Sequence, residues 1–138
     1  MDKKIVSESV TVANKLTMVN IVVSDMKKAK EFYTEKLGLE IATDYRQNDD
    51  NWWVSLTFPG GGATITLART STTDNQPPKP GTVSFYFSTP DIAAAHKELN
   101  EKGLKTGEIM DNLYGPGSGV KFFQLKDLDG NLLTFAQE

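Results

Sequence analysis

One histidine, His96, and no cysteine in a chain of 138 residues leave little material for imidazole or thiolate chemistry. Metal sites built on several histidines, and Ser-His-Asp or Cys-His catalysis, need donors and bases that this composition does not supply. Glu40, Asp44, Glu108 and Asp111 are candidate acid–base groups. Such a group has to lie within hydrogen-bond reach of its substrate, and strand or loop carboxylates are more often solvated. Asp49 and Asp50 precede Trp52 and read as a hairpin tip. The stretch GPGSG, residues 115–119, lacks the lysine and the strand–loop–helix setting of a phosphate-binding loop; it reads as a long hairpin connection. What remains is a neutral set: the Asn20 amide, the hydroxyls of Thr66, Ser84, Tyr86 and Thr134, and Met18 and Trp53 among them.

Strands have to position these groups, because the spacing is two. In TMVNIVVSD, residues 17–25, Val19, Ile21 and Val23 form one apolar row, and Met18, Asn20 and Val22 form the other. Val83, Phe85 and Phe87 repeat the apolar row, with Ser84, Tyr86 and Ser88 opposite. Ile65 and Leu67, and again Leu133 and Phe135, fit the apolar side of two closing strands. Thr64 and Thr66, and Leu132 and Thr134, then fall on the second side. That side is semi-polar and nearly uncharged. A closed core disfavours so many polar groups unless each is paired, whereas a ligand cavity combines apolar walls with a few placed polar groups. A hydrated or dimer-contact face is the alternative. Trp52 and Trp53 are adjacent and point to opposite sides, with Trp53 preferred for the cavity.

The same order of elements occurs twice. Residues 17–43 and 82–110 each read strand, helix, strand. Asp25 and Asp91 stand as N-caps, and Gly38 and Gly103 as C-terminal stops. Met26, Ala29, Tyr33 and Leu37, and Ile92, Ala95 and Leu99, recur at helical spacing. Each copy closes with two strands around a glycine turn, with Gly62 before ATITL and Gly130 before NLLTF. DLDGN, residues 127–131, is a strong turn signal. The fold class is α+β, with two paired βαβββ modules in one domain over residues 17–138. Module one covers 17–69, a polar, proline-rich linker 70–81, and module two 82–138; residues 1–16 form an N-terminal extension.

A formal net charge of −3 gives no footprint for nucleic acid or an anionic membrane. No apolar run approaches the roughly 20 residues needed to span a bilayer, and MDKKIVSESVTVANK does not read as a signal peptide. The expectation is a cytoplasmic protein.

Three phrases together, VNIVVSDMKKAKEFYTEKLGLE, VSFYFSTPDIAAAHKEL and GPGSGVKFFQLKDLDGNLLTF, resemble the vicinal oxygen chelate superfamily of glyoxalases, bleomycin-resistance proteins and extradiol dioxygenases. The resemblance implies a curved mixed sheet around a U-shaped cavity, and frequent dimerisation. It also implies four metal-ligand positions, which here hold Met18, Thr66, Ser84 and Thr134. Methionine and neutral hydroxyls are poor donors for the metals such sites hold, so no metal and no cofactor are expected. His96, beside the apolar stripe of its helix, is expected on the far side of the sheet. Family parity puts Phe122 and Gln124 inward. The expected function is metal-free binding of a small, partly aromatic or amphiphilic molecule by a homodimer. A metal-dependent lyase or dioxygenase with relocated ligands, or a non-catalytic interaction domain, is the alternative.

Overall fold

The computed structural model describes residues 12–69 and 79–138. The extension up to residue 11 and the linker from 70 to 78 lie outside the described residues. Module one runs β1 (Met18–Val22), α1 (Met26–Glu31) with a π-helical turn (Phe32–Lys36), β2 (Glu40–Arg46), β3 (Trp52–Thr57) and β4 (Thr64–Ala68). Module two runs β5 (Ser84–Thr89), α2 (Ile92–Glu101), β6 (Phe122–Lys126) and β7 (Leu132–Gln137). The strands form two mixed sheets, ordered β1-β4-β3-β2 and β5-β7-β6. Each module opens with a parallel pair, β1 on β4 and β5 on β7, and closes with an antiparallel one. The α+β class and the paired modules are as expected; the sheet stands in two parts within one copy.

The caps work as the sequence implies. Asp25 Oδ1 accepts from the Lys28 amide and Asp91 Oδ1 from the Ala94 amide, each at 3.0 Å. Gly38 and Gly103 end the helices at φ +83° and +87°, a conformation that favours glycine. The π turn was not legible in the sequence. The Leu37 amide reaches back to the Phe32 carbonyl at 3.2 Å, and the Thr34 hydroxyl donates to the Lys30 carbonyl at 2.7 Å. The wider turn lets the consecutive rings of Phe32 and Tyr33 both enter the core, edge to face with centroids 5.2 Å apart.

Module two departs from the repeat at its second strand. Residues 104–112 run beside β6 but form only an isolated bridge, Met110 to Phe122. The Gly107 amide donates to the Gln124 carbonyl at 2.7 Å. The Gly107 carbonyl instead accepts from His96 Nε2 at 2.9 Å, so it leaves the ladder. His96 also stacks edge-on against Phe123, with centroids 5.0 Å apart, on the helix side of its sheet as expected.

The apolar rows make one core shared by both modules, including Ile21, Val23, Leu67, Phe123 and Leu133. Burying each such side chain stabilises the fold by roughly 1.5–3 kcal/mol. Val19 and Ile65 from the first sheet and Phe85 and Phe87 from the second line a cleft of about 720 Å³ between the modules. Phe58 reaches across to Phe87, with ring centroids 5.4 Å apart. Side chains alternate along a strand, so the semi-polar rows lie on the opposite side of each sheet from these apolar residues; Thr64, Tyr86 and Ser88 of those rows reach the cleft at its rim. At the far ends of the helical segments Lys36 Nζ donates to the Lys102 carbonyl at 3.0 Å. Lys102 Nζ donates to the Lys36 carbonyl at 3.1 Å and the Glu35 carbonyl at 3.0 Å.

Candidate functional site

The first semi-polar face is built across all four strands of its sheet. Asn20 lies opposite Thr66, Thr66 opposite Ser55, and Ala68 opposite Trp53. The Thr66 hydroxyl, almost fully buried, donates to Met18 Sδ at 2.8 Å and so accepts from Ser55 Oγ at 3.2 Å. Asn20 is exposed and its amide has no partner among the described residues, which leaves a free donor and acceptor on the face. Trp53 stacks against Tyr45 with ring centroids 5.6 Å apart and planes tilted by 31°. Tyr45 is 46 % exposed, so the pair forms an accessible aromatic platform.

The second face repeats this plan. Tyr86 lies opposite Thr134, Gln124 opposite Thr134, and Phe122 opposite Ala136. Gln124 Nε2 donates to the fully buried Thr134 hydroxyl at 2.9 Å, leaving its carbonyl oxygen toward the face. Tyr86 is 61 % exposed, Met110 and Ser84 are also exposed, and Phe122 is half-buried. Trp53 and Phe122 thus occupy equivalent places, each beside a buried alanine, Ala68 or Ala136, that leaves room above the sheet. Charge enters these rows at their ends, with Glu40, Lys126 and Glu138, whose carboxylate accepts from Ser88 Oγ at 3.2 Å.

All nine residues expected at the site stand on these rows. Met18, Asn20, Trp53 and Thr66 share one face; Ser84, Tyr86, Phe122, Gln124 and Thr134 share the other. The sets belong to sheets with no strand pair in common among the described residues. Tyr45, Ser55 and Met110 stand beside them and escaped the sequence reading. The signal for Tyr45 and Ser55 was the hairpin register around Asp49, which pairs Tyr45 with Trp53 and Thr43 with Ser55.

The four positions that the resemblance implies as metal ligands, Met18, Thr66, Ser84 and Thr134, hold poor donors for a divalent cation. They carry a thioether and three hydroxyls. Thr66 and Met18 already satisfy one another, and Thr134 holds Gln124. Among the described residues no group of three histidines, aspartates or glutamates lies together.

The carboxylates serve elsewhere. Asp44 accepts from Lys30 Nζ at 2.6 Å and Trp52 Nε1 at 2.8 Å, on the side away from Tyr45. Asp111 pairs with Lys121 at 2.6 Å and Asp49 pairs with Arg46. The Lys30 hydrogen bond holds the Asp44 carboxyl below the usual range, burial opposes it, and Trp52 reinforces it.

Comparison with known proteins agrees with the geometry. Residues 15–135 match the family model of the Glyoxalase/Bleomycin resistance protein/Dioxygenase superfamily. The uncharacterized protein YetH of Bacillus subtilis is 29% identical over 121 residues, covering 86% of this chain and 94% of its own length. Among solved structures, TnmS3, an antibiotic-binding protein from Streptomyces sp. CB03234, superposes with a TM-score of 0.73. It is 23% identical and covers 92% of this chain and 98% of its own. A superfamily member from Sphaerobacter thermophilus has a TM-score of 0.72 at 27% identity, covering 91% of this chain and 98% of its own. Among the described residues no helix is long and apolar enough to cross a membrane.

Proposed function

The chain belongs to the glyoxalase/bleomycin resistance protein/dioxygenase superfamily, and from that premise we propose that it binds a small, partly aromatic organic molecule on its semi-polar faces, without a metal and without a reaction. One observation carries the reading: the rows of the two faces join exposed aromatic surface to neutral hydroxyl and amide groups, with hydroxyls and a thioether where metal donors would stand. An aromatic contact such as Tyr45–Trp53 offers a flat ligand about 0.5–1.5 kcal/mol beyond area burial. Asn20 and Gln124 supply directional hydrogen bonds. The likeness in fold to an antibiotic-binding protein supports the same class of ligand.

The working unit in this proposal is a cytoplasmic homodimer. Among the described residues, strands β1 and β5 are each hydrogen-bonded on one side only, and a free edge is a template for another strand. Laying β1 of one copy beside β5 of another joins the Met18–Asn20 row to the Ser84–Tyr86 row. The nine residues then face one shared site.

The test is a fluorescence titration of the W52F variant, in which Trp53 is the remaining tryptophan. A panel of flat aromatics bearing hydroxyl or carbonyl groups is expected to give a saturable change in emission. Asn20→Ala is expected to weaken binding by roughly three- to tenfold, the worth of one hydrogen bond. Silence across the panel, or a response that requires added zinc or nickel, overturns the proposal.

A further inference from the structure

The turn DLDGN, in module two, meets module one at two points and the described end of the linker at a third. Asp127 is 8 % exposed, and each of its oxygens takes two bonds. Oδ1 accepts from the amides of Asp129 at 3.0 Å and Asn131 at 2.8 Å. Oδ2 accepts from Asn131 Nδ2 at 2.7 Å and, across the module boundary, from the Tyr33 hydroxyl at 2.6 Å. Asn131, with 1 % of its surface exposed, passes the restraint on, because its Oδ1 accepts from the Val83 amide at the entry to β5 at 2.9 Å.

The next carboxylate reaches the same boundary at a second point. Asp129 accepts from the Ser24 amide at 3.3 Å on each oxygen, and from the Ser24 hydroxyl. Arg69 in turn donates to the Val23 and Ser24 carbonyls at 3.1 and 2.6 Å, which fixes that bend. The described end of the linker lies on the turn as well. A Cβ on Gly81 would stand 2.1 Å from the Asp129 carbonyl oxygen, and Gly81 has φ +83°. No side chain fits there.

We propose that this turn is the lock that sets the angle between the modules, with Asp127, Asp129 and Tyr33 as positioning residues. Two points of attachment and a steric stop fix an orientation, where a single bond would leave a hinge. The consequence for binding rests on the reading above: each copy gives the face of module one to one shared site and the face of module two to the other, so the lock sets how the two sites of the dimer lie. Tyr33 and Asp127 touch no ligand in this scheme.

The absence of cysteine makes the test direct. A cysteine pair at the exposed positions Glu31 and Lys97, one per module, carries spin labels for a distance measurement without ligand. The parent is expected to give one narrow distance distribution. Tyr33→Phe and Gly81→Ala are expected to broaden or shift it. Asp91→Ala, which removes the cap of α2 within module two, is expected to lower the melting temperature and leave the distribution unchanged. If Gly81→Ala does not fold, Ser24→Ala takes its place. An unchanged distribution in the lock variants overturns the proposal, and so does an equal disturbance in Asp91→Ala. A failed ligand titration leaves these distances, and this proposal, untouched.

Discussion

Thr134 has no exposed surface, yet its hydroxyl decides where the Gln124 amide stands. Thr134→Val keeps the shape and removes the acceptor, so a loss of about 1 kcal/mol is expected in denaturant melts. The same change frees Gln124 to turn away from the face. Asp44 offers a pH-dependent counterpart. Its carboxyl is held below the ordinary value chiefly by Lys30. A depressed folded value means the contact is intact above the unfolded value of about 3.9 and is lost as pH falls through the folded one. In the W53F variant the emission of Trp52, which donates to Asp44, is expected to change at a midpoint below that value. Lys30→Met is expected to move the midpoint upward. At this scale the sequence was informative wherever alternation alone assigns a face: Asn20, Tyr86 and Thr134 needed only the period of a strand. Tyr45 needed the register of a hairpin whose tip pairs with itself, and composition carries no trace of that.

The helices and their caps were legible element by element, because aspartate before and glycine after an apolar stripe leave few readings. Two elements were not. The π turn at Phe32–Lys36 depends on one backbone bond that shifts by a residue, and it is what lets two consecutive aromatics share a core. The irregular segment 104–112 has the sequence of a strand, but His96 takes a carbonyl that the ladder needs. A cross-sheet bond from a helix cannot be read from local pattern. Gly107 passes so near β6 that a Cβ would lie 3.2 Å from the Gln124 carbonyl oxygen. Gly107→Ala is therefore expected to push the segment off the sheet, seen as faster amide exchange at Met110 and Leu113 with β7 unchanged. His96→Ala releases the carbonyl and removes a ring from Phe123, and the same amides report it.

At the scale of the molecule the doubled order of elements made the α+β architecture readable. The division into two sheets was not readable, since nothing in a strand's own residues says that its outer edge stays unpaired. Leu16 stands at the rim of the cleft between those edges and is 67 % exposed. Leu16→Lys should leave the folded chain intact while opposing a second copy. Sedimentation is expected to show the parent at twice the mass of a chain and the variant nearer to one. Lys36 and Lys102 bring the two modules together differently. Each gives its ammonium to the other's backbone carbonyl and receives the same in return. Self-complementary exchange of this kind belongs to contacts between identical subunits related by a twofold axis. Here it runs between halves of one chain that differ at most positions. It places the ends of the two helical segments in a local pseudo-twofold relation within a single chain.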